Sequence, residues 1–442
     1  MRVGQSPPAS PLAFILCSSF IEYAADGAPE PIFLRCMKRF LLVALAACAH
    51  GQQVTNLAPD QAVKRAMQSH PTLAAGQARV EAAQGMQLQA GLRPNPRLFL
   101  QAENTRLGGT TAPFRFSQEA DNFVYASQVL EAPGKRDSRV HVSAELIRRR
   151  EAEADLLRTR IAQSVAIAYW QAVGAERTRD LLQETLRNFD QIVQYHRDRV
   201  REGALAESDL IRIELESGQI AVQFQNAEQD VRRLRLQLFR EMGEQEQASV
   251  ILTGDLSDTR PFVAPNPEEA LESRRDLRLA RQVVQHVSAD VRVERINARP
   301  DTEVLFGYKR SMGYNTMIGG VQISLPFRNR NQGAIAATLA EGKAAELDLR
   351  AVEQAARIDI AAAQSEYNQK LVLVTDTLPR MRSRADDTVQ IARAVYREGA
   401  SDLLRLLDAE RAGLQMQLLL VRSLTEYRLA LVNLQAATGI LP

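Results

Sequence analysis

Cysteine is nearly missing: the 442 residues hold three, Cys17, Cys36 and Cys48, and none follows position 48. Everything beyond that point must fold by packing alone, without an internal disulfide. Aromatic residues are only 5% of the chain, with Trp170 the one tryptophan, a low share for an enzyme core. Charge of one sign is lacking too. A net charge of +2 provides no broad basic face and argues against nucleic-acid binding. Long hydrophobic runs are absent after the first fifty residues, and a membrane-spanning helix needs about 20 apolar residues. If this chain crosses a membrane, it must do so as a closed β-barrel. Catalytic signatures are missing as well. Gly134-Lys135 lacks the earlier glycine of a phosphate loop, position 129 being Val. The five histidines, His50, His70, His141, His196 and His286, show no metal-ligand spacing. Met312 and Met317 flank a turn and read as apolar filler, not soft-metal ligands. The expectation is a protein that is not an enzyme and has no cofactor and no metal site.

What is present is long-helix composition, rich in Ala, Leu, Gln, Glu and Arg. At the N-terminus, residues 1–36 are Pro-rich and irregular and read as a mis-called extension. Residues 37–49 read as an export signal: Met37-Lys38-Arg39, an apolar run from Phe40 to Ala47, then small residues. Leu45-Ala46-Ala47-Cys48 resembles a bacterial lipobox, which makes Cys48 a lipidation candidate; an ordinary small-residue cleavage site is the alternative.

The rest of the chain says nearly the same thing twice. Arg201-Glu202-Gly203-Ala204 recurs as Arg397-Glu398-Gly399-Ala400, and Arg93-Pro94-Asn95 as Arg299-Pro300-Asp301. Residues 50–243 form the first repeat, 244–266 a linker without helical period, and 267–442 the second repeat. Within the first, Leu57–Leu92 reads as a helix. Strands follow at Leu98–Asn104 and Phe123–Leu130, with Phe123, Tyr125 and Val129 read as the apolar row of the latter. A helix of roughly 90–100 Å then covers Ser138–Val200. The second repeat has a helix at Glu268–Ala298 and a strand with Val304, Phe306 and Tyr308 on one face. Its next strand carries Val321 and Ile323, and a second long helix covers Gln332–Glu398. There Tyr367, Leu371, Val374, Leu378 and Met381 follow a coiled-coil spacing. Gly203 and Gly399 are placed to end the long helices in the left-handed conformation. Ser208 or Asp209, and Ser401, are candidate caps for the helices that follow.

Four strands leave two open edges, which hydrocarbon does not tolerate. Several chains must therefore complete one wall: two would give eight strands, a barrel filled by its own side chains, and three would give twelve, with a lumen. Leu57-Ala58-Pro59-Asp60-Gln61-Ala62 through His70-Pro71, and Tyr396 through Leu404 with Leu407-Asp408-Ala409-Glu410-Arg411, resemble the TolC-like outer-membrane efflux channels of tripartite pumps. The general look is nearest the metal-cation branch. The resemblance implies a mainly α fold with a small β part. Long helical hairpins would form a periplasmic α-barrel below a twelve-stranded β-barrel in outer-membrane lipid, built by a homotrimer. It also implies a periplasmic adaptor and a proton-driven inner-membrane pump as partners. The tip residues Arg201, Glu202, Gly203, Asp209, Arg397, Glu398, Gly399, Asp402 and Arg405 become gate candidates, with salt bridges between hairpins holding the end shut. Solvated helix-end charges are the alternative. The rival functions are a type I protein-secretion channel and a periplasmic coiled-coil adaptor.

Overall fold

The computed structural model describes residues 55–105, 114–246 and 250–441. The expectations for residues 1–36, for the export signal 37–49 and for Cys48 lie outside them. The first half runs β1 (Thr55–Leu57), α1 (Pro59–Ser69), α2 (Pro71–Ala90) and β2 (Arg97–Glu103). It continues with a single turn α3 (Phe116–Glu119), β3 (Asp121–Leu130), α4 (Lys135–Arg201) and α5 (Glu207–Met242). The second half runs β4 (Val250–Leu252), α6 (Pro267–Ser273), α7 (Arg275–Asn297), β5 (Thr302–Ser311) and β6 (Tyr314–Ile323). It ends with α8 (Gln332–Val372), a π-helical segment (Leu373–Thr377), α9 (Leu378–Arg397) and α10 (Leu403–Ala437).

Three helix expectations change, the one over Gln332–Glu398 being interrupted by the π-helical segment at Leu373–Thr377. The helix expected over 57–92 is broken at His70-Pro71. Proline offers no N–H and disfavours helical geometry in the residue before it. His70 is accordingly extended, and its Nδ1 accepts from the Thr72 amide at 3.1 Å. The helix expected over 268–298 is broken at Arg274, also extended, whose guanidinium binds Asp276 and the Ala437 carbonyl. The linker stretch 244–266, read as having no helical period, contributes β4, which forms a two-stranded sheet with β1. Strands of three residues are too short to show alternation.

The second sheet has the order β2-β3-β5-β6, antiparallel throughout. Its register fixes which residues share a face. Leu100, Val124, Tyr308 and Met317 stand in one row across the sheet, and Leu98, Ala126, Phe306 and Gly319 in another on the same face. Leu98, Leu100, Phe306 and Met317 are exposed, as a face turned to lipid requires. Phe123, Tyr125 and Val129, read from sequence as the apolar row of β3, lie on the opposite face. There Phe123 is paired with Lys309 and Val129 with Glu303. Val124, Ala126 and Leu130 share the face with Leu98 and Phe306, and Gln128 on that side, opposite Phe123, Tyr125 and Val129 as expected, donates to the Pro94 carbonyl. At Gly307 an added Cβ would come within 2.3 Å of the Tyr125 Cβ, so only glycine fits beside the Phe99–Tyr125 ring stack. Met312 and Gly313, both at positive φ, form the two-residue turn between β5 and β6.

The largest apolar cluster joins α1, α4, α5 and the small sheet through Leu57, Val165, Tyr169, Trp170, Leu238 and Met242. The Tyr169 hydroxyl donates to the Leu57 carbonyl at 2.8 Å, and burial pushes its phenol up to about 12. Arg428 lies 4.6 Å from the Trp170 ring centre. Tyr169-Trp170 therefore belongs to packing, as its helical spacing suggests. No helix among the described residues is long and apolar enough to cross a membrane.

Candidate functional site

The two repeated turns have one geometry. Gly203 (φ +75°) and Gly399 (φ +70°) are both left-handed. The amides of Gly203 and Ala204 donate to the Val200 and Arg199 carbonyls, and those of Gly399 and Ala400 to Tyr396 and Val395. Each turn thus satisfies the last carbonyls of a long helix, which is why glycine recurs at that place. The caps differ from expectation. At α5 the cap position is Ala206, without a side-chain hydrogen bond, and Ser208 and Asp209 lie inside the first turn. At α10 the cap is Asp402, not Ser401: its Oδ1 accepts from the Arg405 amide at 3.1 Å.

The candidate gate charges do not pair between the two hairpins of this chain. Arg201 lies 3.5 Å from Asp198, and Glu202 3.7 Å from Arg199, each on its own helix. Asp402 and Arg405 meet only through the cap. Ion pairs one to four turns back from the tip tie the helices instead. Arg197 reaches Glu214 at 2.7 Å across the first hairpin. At the matching place of the second, Arg393 Nη2 reaches Glu410 Oε2 at 2.7 Å. Arg411 pairs with the buried Glu216, joining α10 to α5. Extending the repeat outward from the glycines finds the first two pairs in the sequence. The Arg148-Arg149-Arg150 run is matched by acids on its own helix, Glu145 and Glu153.

One link between the hairpins escaped the sequence altogether. His196, 2% exposed, stacks on Tyr396, which packs against the apolar cluster of Phe189, Val193, Ile213 and Leu407 near the tip. Its Nδ1 is 2.8 Å from the Ile192 carbonyl and its Nε2 is 2.7 Å from the Tyr396 hydroxyl. A carbonyl only accepts, so Nδ1 carries the proton and Nε2 accepts from Tyr396. Burial, and then the nearby Asp209 carboxylate, push the Tyr396 hydroxyl above its ordinary range. A buried histidine paired across 200 residues leaves no local pattern. No group of three or more His, Cys, Asp or Glu able to hold a metal ion occurs among the described residues.

Comparisons with known proteins agree with this geometry. The model of the outer membrane efflux protein family matches residues 62–244 and 266–440. The pyoverdine export outer membrane protein OpmQ of Pseudomonas putida is 26% identical over 409 residues, covering 86% of this chain and 84% of that protein. The outer-membrane channel OprN superposes with a TM-score of 0.72 at 20% identity, covering 86% of this chain and 89% of that one. A membrane protein from Pseudomonas aeruginosa superposes with a TM-score of 0.75 at 18% identity, covering 86% and 92%.

Proposed function

The chain belongs to the outer membrane efflux protein family and is the outer-membrane channel of a tripartite efflux system; from that premise we propose how it is assembled and gated. Three copies supply four strands each to a twelve-stranded barrel in outer-membrane lipid, and their helical hairpins continue it as a periplasmic tube. The observation that carries this reading is the four-stranded sheet. Among the described residues its β2 and β6 each have one partner, and one of its faces is apolar and exposed. Open edges cost several kcal/mol per unpaired group in hydrocarbon, so only neighbours of the same kind close the wall. A ring of twelve leaves a lumen, where eight would fill with side chains.

The conduit is passive. Energy comes from a proton-driven inner-membrane pump, and a periplasmic adaptor docks on the tips around Gly203 and Gly399. Arg201, Glu202, Asp209, Arg397, Glu398, Asp402 and Arg405 hold the narrow end shut by pairing with neighbouring copies. Each exposed pair contributes only about 0–1 kcal/mol, so the seal is a sum of many. The cargo is a small solute, a metal cation or a drug. The relative named for pyoverdine export supports solute export over protein secretion. Residues 50–243 and 267–442 act as two efflux repeats joined by 244–266, behind an export signal at 37–49 that, if the lipobox is processed, ends at Ala47 and leaves Cys48 as the anchor.

The assembly is tested by purifying the protein in detergent: a trimer that resists the denaturant until heated is expected, and a monomer in lipid removes the reading. Planar-bilayer conductance of Asp402→Ala and Arg405→Ala tests the gate. Raised leakage of the resting channel is expected, and unchanged leakage in both overturns it. Mass spectrometry of the mature N-terminus decides the Cys48 anchor.

A further inference from the structure

Each half of the chain joins its strand pair to its helices at a matching place, and the two junctions are finished differently. Aligned on Pro133 and Pro326, Glu131 of the first junction corresponds to Ser324 of the second. At the first, Arg139 Nη2 donates to Glu131 at 3.1 Å and reaches the Leu92 carbonyl at 3.5 Å. One arginine thereby ties the end of β3 to the end of α2. At the second, Ser324 supplies no carboxylate, and a cleft of about 740 Å³ stays open between the α7–β5 and β6–α8 connections.

Both carboxylates that line this cleft are engaged. Asp301 accepts from the Ala132 amide at 2.8 Å and from Lys135 at 2.9 Å, and Glu294 accepts from the Asn331 side-chain amide at 2.5 Å. Arg299 and Arg328, one from each connection, are exposed and give the lining its surplus of positive charge. At the rim Leu325 and Phe327 are 65% and 78% exposed. The Phe327 amide donates to the Leu325 carbonyl at 2.9 Å and holds the turn around Pro326 tight.

Strand length sets the depth of the cleft. β5 and β6 have 10 residues each, about 34 Å of extended chain. At a tilt of about 45° they rise about 24 Å, the height of the apolar band of an outer-membrane wall. Arg299 and residues 324–328, just beyond the strands on the helical side, therefore lie level with the headgroups of the inner leaflet. Leu325 continues the outward row of Val321 and Ile323, which puts the rim on the lipid side of the wall.

We propose that this cleft binds the phosphodiester headgroup of an anionic phospholipid of the inner leaflet, one per chain. The inference rests on the outer-membrane reading above. Arg299 and Arg328 take the phosphate oxygens from two sides, a geometry for which the forked guanidinium is suited. Leu325 and Phe327 lie along the glycerol and the first methylenes of the acyl chains. The bound lipid ties the second junction to the membrane, where the chain lacks the internal pair that closes the first.

Native mass spectrometry of the intact protein in detergent reads the site, with dioleoyl phosphatidylglycerol and dioleoyl phosphatidylethanolamine as probes. One phosphatidylglycerol held per chain is expected, with a preference over phosphatidylethanolamine of at least about ten-fold. At about five-fold per basic residue near anionic lipid, Arg299→Gln combined with Arg328→Gln should weaken binding by about 25-fold. Ser324→Glu imports the carboxylate of the first junction beside intact arginines and should weaken it by about ten-fold. Equal affinity for the two lipids, or unchanged phosphatidylglycerol binding in both variants, overturns the site. Inorganic phosphate is the third probe: phosphate binding that both variants abolish, with no lipid held, overturns the lipid as occupant. A trimer that holds none while its dissociated chains hold one each means that a neighbouring copy covers the cleft, and overturns the proposal as well. The cleft lies within one chain, so lipid held by protein that runs only as a monomer supports the site and removes only the trimeric wall.

Discussion

The two hairpins share a turn, a glycine and a cross-strut, yet they are anchored differently. Arg197–Glu214 and Arg393–Glu410 occupy matching places, and Gly203 and Gly399 have nearly the same φ. What the repeat does not preserve is the apolar seam between strut and mid-helix. The α4 helix keeps burying large side chains down to His196, one turn from its end. The α9 helix buries none after Leu378. The repeat is therefore a record of turn chemistry, while the buried seams of the two arms differ.

The comparison is broken most directly in the distal core. Phe189→Ala, at a side chain 3% exposed, is expected to cost about 3–5 kcal/mol. Ile391→Ala, at 63% exposure on the other arm, should stay within about 0.5 kcal/mol. Denaturant midpoints of the two variants check this, and similar losses would mean that α9 is as firmly held as α4. Next comes proline itself. Gln183 stands in the first hairpin where Pro379 stands in the second, and Gln183→Pro should destabilise by about 3 kcal/mol or more because α4 is regular there. A thermal shift near zero would show that α4 is as adaptable as its counterpart.

The struts sharpen the contrast on a smaller scale. Both side chains of the Arg197–Glu214 pair are over two-fifths exposed, and Arg197→Ala should cost no more than about 1 kcal/mol. Glu410 is only 9% exposed, so Arg393→Ala strands a buried carboxylate and should cost more, about 1–3 kcal/mol. Equal midpoints for the two variants would erase the difference. The smallest effect is acid sensitivity at the α6–α7 break. Burial works against the Asp276 charge, but the Arg274 hydrogen bond and charge hold its carboxyl below the ordinary 3.8. A depressed folded value stabilises the fold above the unfolded value and is lost as pH falls through the folded one. Wild type should therefore lose stability below about pH 4 more steeply than Asp276→Asn, as followed by circular dichroism.

Much of the architecture was legible because it rests on short-range rules. Glycine after a long helix, proline before a strand and alternation within eight to ten residues each act locally. The four wall strands and both long helices follow from them. The small sheet of β1 and β4 was hidden because its pairing depends on residues nearly two hundred positions apart. Which face of β3 turns outward was not legible, because both carry apolar residues: Phe123, Tyr125 and Val129 on one, with Phe123 under Lys309, and Val124, Ala126 and Leu130 on the other. In the second long helix, the expected run Tyr367 to Met381 is buried at Val374 and Leu378 but not at Met381, which is 47% exposed. The π turn inserts a residue and rotates the face that follows. At the tips, the glycines and charges stood out by repetition. The His196–Tyr396 link did not, because a hydrogen bond between hairpins is made by tertiary packing.

The two unpaired edges of the sheet have a genetic consequence. A wall closed by copies of one chain has no spare member, so each ring is as sound as its weakest subunit. A variant with a damaged β6 edge, made alongside the normal protein, would enter most rings and leave a seam in each. Such an allele should act dominantly, spoiling transport out of proportion to its share of the pool.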